Sequence, residues 1–282
     1  MERIRRALEL ARAEREVVRR AAGAGGRRNA DMIQGLSDIP VAQLASASKP
    51  FSGSRKLTPD PDVLRRSRLL GAGLTGAAAE AFKMLRTQVA QRMHQHRWNT
   101  LAVLAPTAGD GATTVALNLA MAIANDPGRC SLLVDFNLRH PGIANALGIP
   151  GEPGVEQCLL GAYGIEEVLV RVNGYEHLLV APASRAVAHS SELLASTSAR
   201  NLVAELKTRY ADRIVVFDLP AALESDDALS FAPLVDAVLL VIAEGRTRIE
   251  DVERCFELLK NWPVVGTVLN RSRFATTMQY AY

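Results

Sequence analysis

Six short apolar runs recur between residues 101 and 270, and stretches patterned as helices separate them. The runs are Leu101–Ala105, Ser131–Asp135, His177–Ala181, Arg213–Asp218, Ala237–Ala243 and Val264–Asn270. They are rich in Val, Leu and Ile without strict polar alternation, which is the signature of strands buried on both faces. The helical patterns lie at Ala77–His96, Thr113–Asn125, near Gly154–Leu160 and Ile165–Val170, and at Glu192–Tyr210, Asp226–Leu234 and Arg248–Asn261. Strands alternating with helices predict an α/β fold: a doubly wound, mostly parallel sheet with helices on both faces. A hydrophobic content of 48% over 282 residues suits one large domain with a proper core.

Three regions emerge along the chain. Residues 1–22 read as a basic helix, with Ile4, Leu8 and Ala11 at helical spacing and arginines outnumbering acids. Its thin apolar face fits a solvated helix or a partner-docking helix better than a membrane-surface one. Residues 23–75 are rich in Gly, Ser, Pro and Ala and read as a flexible linker. Residues 76–282 carry the folded domain. No apolar run approaches the roughly 20 residues of a membrane span, and the start of the chain lacks the apolar stretch of a secretory signal. The expected compartment is the cytoplasm. The three cysteines are scattered, and the five histidines show no metal-ligand spacing. Ser190 and Ser191 have no activating partner nearby in sequence. A net charge of +3 and 5% aromatic residues disfavour nucleic acid as a partner.

The run Leu101–Ala105 leads into Pro106-Thr-Ala-Gly-Asp-Gly-Ala-Thr-Thr114 and then into a helix. Strand, glycine loop and helix start is the layout of a phosphate-binding P-loop. Gly109 and Gly111 let backbone N–H groups turn toward an anion, and the helix N-terminus adds partial positive charge. A working loop has Lys after its last glycine and then Ser or Thr. Here Ala112 stands in the lysine position, followed by Thr113 and Thr114. The cradle (Gly109, Asp110, Gly111, Ala112) and the hydroxyl that can face magnesium remain, without the cation.

Two further strand ends carry acids. Asp135 ends one run and is followed by Asn137 and Arg139; Asp218 ends another and is followed by Leu219-Pro220. A lone strand-end Asp is as often a helix cap. Ligands of such sheets bind at the strands' carboxyl ends, and there Asp218, Asp135 and Thr113 would form a magnesium shell.

These motifs together resemble the bacterial tyrosine kinases of capsule and exopolysaccharide export, a branch of the partition-ATPase-like P-loop proteins. The family's loop Pro-Gly-Glu-Gly-Lys-Ser/Thr is matched by Ala108-Gly-Asp-Gly-Ala-Thr113. Its Asp-x-Asp-x-Arg strand end is matched by Asp135-Phe-Asn-Leu-Arg139, and its Asp-x-Pro by Asp218-Leu-Pro220. Its ring-assembly signature Glu-x-x-Arg-x-x-Arg is matched by Glu80, Lys83 and Arg86. Ser191-Glu-Leu-Leu194 resembles another family segment. Val268-Leu-Asn270, with Arg271 after it, resembles the last strand that lies near the base. The first eleven residues also resemble the start of variants from exosortase-type systems. The likeness spans roughly residues 77–272.

The resemblance implies ATP or ADP with magnesium as cofactors, unless the altered loop binds none. Asp135, Asp218, Asn137 and Arg139 become the catalytic candidates. Thr113, Thr114, Asn270 and Arg271 join the nucleotide contacts, and Tyr280 and Tyr282 become candidate phosphoacceptors. Ala112 and Asn137 depart from the family pattern at two catalytic positions. The chain is therefore expected to be a catalytically impaired cytoplasmic module of polysaccharide synthesis. It would form homo-oligomers and regulate or scaffold a membrane-embedded chain-length or export protein, peripheral to the inner membrane through that partner. Two alternatives stand beside it: an active tyrosine autokinase in which an arginine from a neighbour in a ring, Arg139 being nearest by motif, replaces the lysine, and a partition-type positioning protein.

Overall fold

A computed structural model describes residues 55–70, 76–126, 128–150 and 152–272. One eight-stranded sheet organises them. In chain order the strands are β1 (Arg55–Leu57), β2 (Thr100–Leu104), β3 (Cys130–Asp135), β4 (Val170–Val172), β5 (Leu178–Ala181), β6 (Arg213–Asp218), β7 (Ala237–Ala243) and β8 (Val264–Asn270). Across the sheet they run β1-β4-β5-β3-β6-β2-β7-β8, and every pairing is parallel except β4 with β5.

The helices are α1 (Pro61–Arg66), α2 (Ala77–His96), α3 (Ala112–Ala124), α4 (Ile143–Leu147), α5 (Val155–Leu159), α6 (Ile165–Val168), α7 (Ser190–Leu194), α8 (Thr197–Arg209), α9 (Asp227–Phe231) and α10 (Ile249–Leu258). They cover both sheet faces, because continuous apolar strands must bury alternate residues in opposite directions. In β2, Leu101 and Val103 enter one core with α2 and α3, while Ala102 and Leu104 enter the other. The second core is centred on Phe136, Phe217 and Phe231, whose rings lie 5.0–5.4 Å apart. Such spacing suits tilted and edge-on aromatic contacts. Ten consecutive residues of α3, Val115–Ala124, are buried, so this helix is enclosed on all sides.

The strands and long helices lie where the apolar pattern predicts them, with ends shifted by up to three residues. Three features differ. The helix expected over Glu192–Tyr210 is two helices, α7 and α8, because Ser196 caps α8 by accepting the Ala199 amide at 3.1 Å. α4 and β4 are too short to give a periodic signal.

The linker expected over residues 23–75 is also shorter than its composition suggests. Residues 55–70 belong to the domain: β1 extends the sheet and Asp60 caps α1, where Pro61 sits in the first turn. Leu64 and Leu69 are buried in the first core. Asn118, itself buried in α3, accepts the Leu70 amide at 2.8 Å and donates to Arg68 O at 3.1 Å. The basic helix 1–22, residues 23–54 and 71–75, and the tail with Tyr280 and Tyr282 lie outside the described residues. No helix among the described residues is long and apolar enough to cross a membrane.

Candidate functional site

The loop between β2 and α3 is held from several neighbouring strand ends. Gly109 and Gly111 both take left-handed backbone angles (φ 81° and 96°), which favour glycine. Gly111 caps α3 without any side-chain hydrogen bond, and the first turn holds no acid. The first amides of α3 are therefore left for an anion. Close approach also requires both glycines. A Cβ at Gly109 would come within 2.7 Å of Arg246 Nη2, and one at Gly111 would collide with Asn270 Nδ2.

The loop carbonyls are bridged from β7 and β8. Arg246 Nη2 donates to Ala108 O at 2.9 Å, Arg271 Nη2 to Gly109 O at 2.7 Å, and Asn270 Nδ2 to Asp110 O at 2.8 Å. Asp110 is fully buried; it accepts from Thr107 Oγ1 at 2.8 Å and lies 3.4 Å from Arg246 Nε. Two loop amides are already taken by acids: Thr107 N–H donates to Asp110 Oδ2 at 3.3 Å and Ala108 N–H to Glu224 Oε1 at 2.6 Å. Ala112 is half-buried and packs against the first core. Thr113 begins the helix beside it, and Thr114 gives its carbonyl to Asn118 at 3.0 Å.

Asp135 and Asp218 end adjacent strands directly in register. Both are fully buried. One oxygen of Asp135 does accept the Gly142 and Ile143 amides that start α4, at 3.2 and 3.1 Å, so the helix-cap reading holds for that oxygen. Its other oxygen, both oxygens of Asp218 and Asn137 Oδ1 make no well-aligned hydrogen bond, and Thr113 is the one hydroxyl that bears on Asp218. Burial pushes the Asp135 carboxyl up to about 7, against the backbone bonds that lower it. Asp218 is driven well above its ordinary value, first by burial and then by the charge of Asp135, with Thr113 partly offsetting. Buried acids without partners are costly unless paired or bound to a metal.

These orphaned oxygens fit a hard divalent cation that keeps several waters. Magnesium commonly takes one or two protein carboxylates beside phosphate oxygens. Asp218, Asp135 and Thr113 would hold it. No group of three or more acid, histidine or cysteine ligands occurs among the described residues, so a cage made only by the protein is not offered.

Arg139, the arginine nearest by motif to replace the missing lysine, is engaged elsewhere. Its Nε donates to the buried Asp227 at 3.1 Å and its Nη2 to Ser191 Oγ at 3.1 Å. Ser191 in turn lies 2.5 Å from Asp226 and 2.6 Å from Asp227. A hydroxyl carries one proton, so it serves one of these carboxylates at a time. Local spacing leaves Ser191 without an activating partner; α7 and α9 bring it against acids 35 and 36 residues away that such spacing cannot connect. Burial alone would raise Asp227, but the surrounding hydroxyls and Arg139 outweigh it and lower its pKa.

On α2, Lys83 pairs with Glu80 at 2.7 Å on an exposed face, while Arg86 lies 3.6 Å from Asp126. Sequence reasoning missed Arg246, Glu224 and Asp227. The strand-end rule that found Asp135 and Asp218 would have reached Arg246, three residues beyond β7, had it been applied there.

No protein-family model matches the chain. Tyrosine-protein kinase YwqD of Bacillus subtilis is 26% identical over 206 residues, covering 72% of this chain and 85% of that protein. Succinoglycan biosynthesis transport protein ExoP of Rhizobium meliloti is 30% identical over 213 residues; the match takes in 74% of this chain but 27% of ExoP. Among solved structures, the VpsO kinase domain is 30% identical with a TM-score of 0.57, over 67% of this chain and 97% of that domain. The P-loop fold, the paired acids in register and this near-complete coverage of a kinase domain agree: the chain belongs to the bacterial tyrosine kinase family of exopolysaccharide biosynthesis.

Proposed function

We propose that the chain is a catalytically impaired tyrosine-kinase-like module that regulates or scaffolds a membrane-embedded chain-length or export protein of polysaccharide synthesis. The observation that carries this reading is a phosphate loop with its glycine geometry intact and Ala112 where the family has lysine. Bound ATP would bring the transferable phosphoryl group, and magnesium would neutralise charge on its phosphates. The amides from Gly109 to Thr114 would cradle the phosphates, and Thr113, Asp135 and Asp218 would hold the cation. Asn270 and Arg271 would lie toward the base.

Phosphoryl transfer depends almost wholly on positioning and charge neutralisation. A charge-assisted hydrogen bond contributes about 1.5–3 kcal/mol, and ~1.4 kcal/mol is tenfold in rate. Losing the lysine therefore slows chemistry by one to two or more orders of magnitude, roughly, while the backbone cradle retains weaker binding. Asn137 removes a further negative charge near the acids. The module would act in the cytoplasm, held at the inner membrane by its partner.

Calorimetric titration of magnesium-ADP and magnesium-ATP into the full chain and into Ala112→Lys tests the reading. Weak binding by the natural chain and at least tenfold tighter binding by the variant are expected. Phosphotyrosine formation by the natural chain at a rate matching an intact family kinase would overturn it.

One observation favours the active alternative. Asp135 is fully buried with one oxygen unpaired, and that burial pushes its carboxyl up to about 7, which suits it to accept a hydroxyl proton at neutral pH. In that case phosphotyrosine would form on Tyr280 or Tyr282 and vanish in Asp135→Ala.

A further inference from the structure

We infer that Arg246 supplies the phosphate loop with the positive charge that position 112 has lost. This assignment rests on the nucleotide-site reading and says which residue makes that site workable. β7 lies beside β2 in parallel register, so the turn after β7 emerges next to the loop after β2. Arg246 sits in that turn, just after Gly245, whose φ of 69° allows the tight reversal.

The guanidinium is anchored at two points. Nη2 holds Ala108 O at 2.9 Å, and Nε lies 3.4 Å from Asp110 Oδ1. Asp110 is itself fixed, being fully buried with its other oxygen on Thr107. The absent side chain of Gly109 leaves the space that the guanidinium fills. Nη1 is not used by any hydrogen bond or ion pair found among the described residues, and the side chain is 53% exposed.

A guanidinium can do this where an ammonium cannot. Its planar fork keeps one donor on the Ala108 carbonyl and its Nε edge in an ion pair with Asp110, and still offers Nη1 at a fixed place. The other cations compare poorly. Arg139 is spent on Asp227 and Ser191. Arg271 has a single anchor, Gly109 O, and no acid among the described residues fixes it. The ligand chemistry is a phosphate group of a nucleotide, because the open amides of α3 and the orphaned acids adjoin the same loop.

The test is calorimetric binding of magnesium-ADP and magnesium-ATP to the full chain and its variants Arg246→Ala, Arg246→Lys, Arg271→Ala, Ala112→Lys and the double variant Ala112→Lys/Arg246→Ala. Thermal melts check that each is folded. Arg246→Ala should bind at least about tenfold more weakly than the natural chain, the effect of one charge-assisted hydrogen bond. Arg246→Lys should recover only part of the loss, and Arg271→Ala should lose less. The double variant should bind as tightly as Ala112→Lys, because a loop lysine makes Arg246 redundant.

A merely structural role for Arg246 would weaken the double variant relative to Ala112→Lys by the same factor as Arg246→Ala weakens the natural chain, and that result overturns the assignment. So would equal losses in Arg246→Ala and Arg271→Ala, or no loss at all. If Ala112→Lys binds and the natural chain does not, Arg246 provides no usable charge, while the nucleotide-site reading survives. If Ala112→Lys also fails to bind, that reading falls and this one with it.

Discussion

At the scale of single residues, Asp135 and Asp218 make the folded chain sensitive to pH in an unusual direction. Both carboxyls sit above their ordinary 3.8, Asp135 at about 7 and Asp218 well above its ordinary value. A folded state that holds protons the unfolded chain has released loses stability as pH rises. The penalty is absent below about pH 4, grows between about pH 4 and 7 through Asp135, and continues upward through Asp218. Asp218→Asn should therefore melt at a higher temperature than the natural chain at pH 8, with a flatter slope against pH, and should gain less from added magnesium. A melt series from pH 5 to pH 9 with and without magnesium reads all three. Glu224 gives a second expectation. Its carboxylate occupies the Ala108 amide and brings negative charge to an anion cradle. Two like charges about 4 Å apart repel by roughly 1–4 kcal/mol between bulk water and a protein surface. Glu224→Gln should tighten magnesium-ADP binding several-fold in calorimetry, and unchanged or weaker binding would show that the acid does not compete.

Among elements, the edge formed by β1 and α1 decides where the domain begins. Leu64 and Leu69 are buried, and truncating a buried leucine costs about 2–5 kcal/mol. Leu64→Ala should lower the denaturant midpoint accordingly. A chain starting at residue 74 should be less stable than one starting at residue 55. This edge was illegible in the sequence because the prolines and glycines around it dominate the composition, while three residues of strand and six of helix carry no measurable period. The central strands were legible for the opposite reason: β2, β3, β6 and β7 are dominated by consecutive apolar residues because both of their faces are covered. The site divides the same way. Gly109, Gly111, Asp135 and Asp218 were readable because backbone geometry and strand ends restrict them. The cluster of Arg139, Ser191 and Asp227 was not, because its members lie 36 to 88 residues apart along the chain.

At the scale of the whole molecule, α2 carries the contacts that self-association would use. Glu80 and Lys83 pair with each other on an exposed face, and such pairs contribute about 0–1 kcal/mol to folding. They are therefore available to a neighbour at little cost. If the family's ring contact operates here, sedimentation velocity should show a species larger than a monomer that Glu80→Lys converts to monomer, with no change in melting temperature. The sheet order adds a mechanical consequence. β1 lies at the outer edge, bound to β4 by three residue pairs, whereas β2 is five places away. Tension on the chain ahead of Arg55 would land first on that short ladder, which acts as a fuse. Once it parts, the pull passes through α1 to Leu70 and so to Asn118, which also holds the Thr114 carbonyl. A pull on the chain ahead of Arg55 thus ends at the first turn of the phosphate helix.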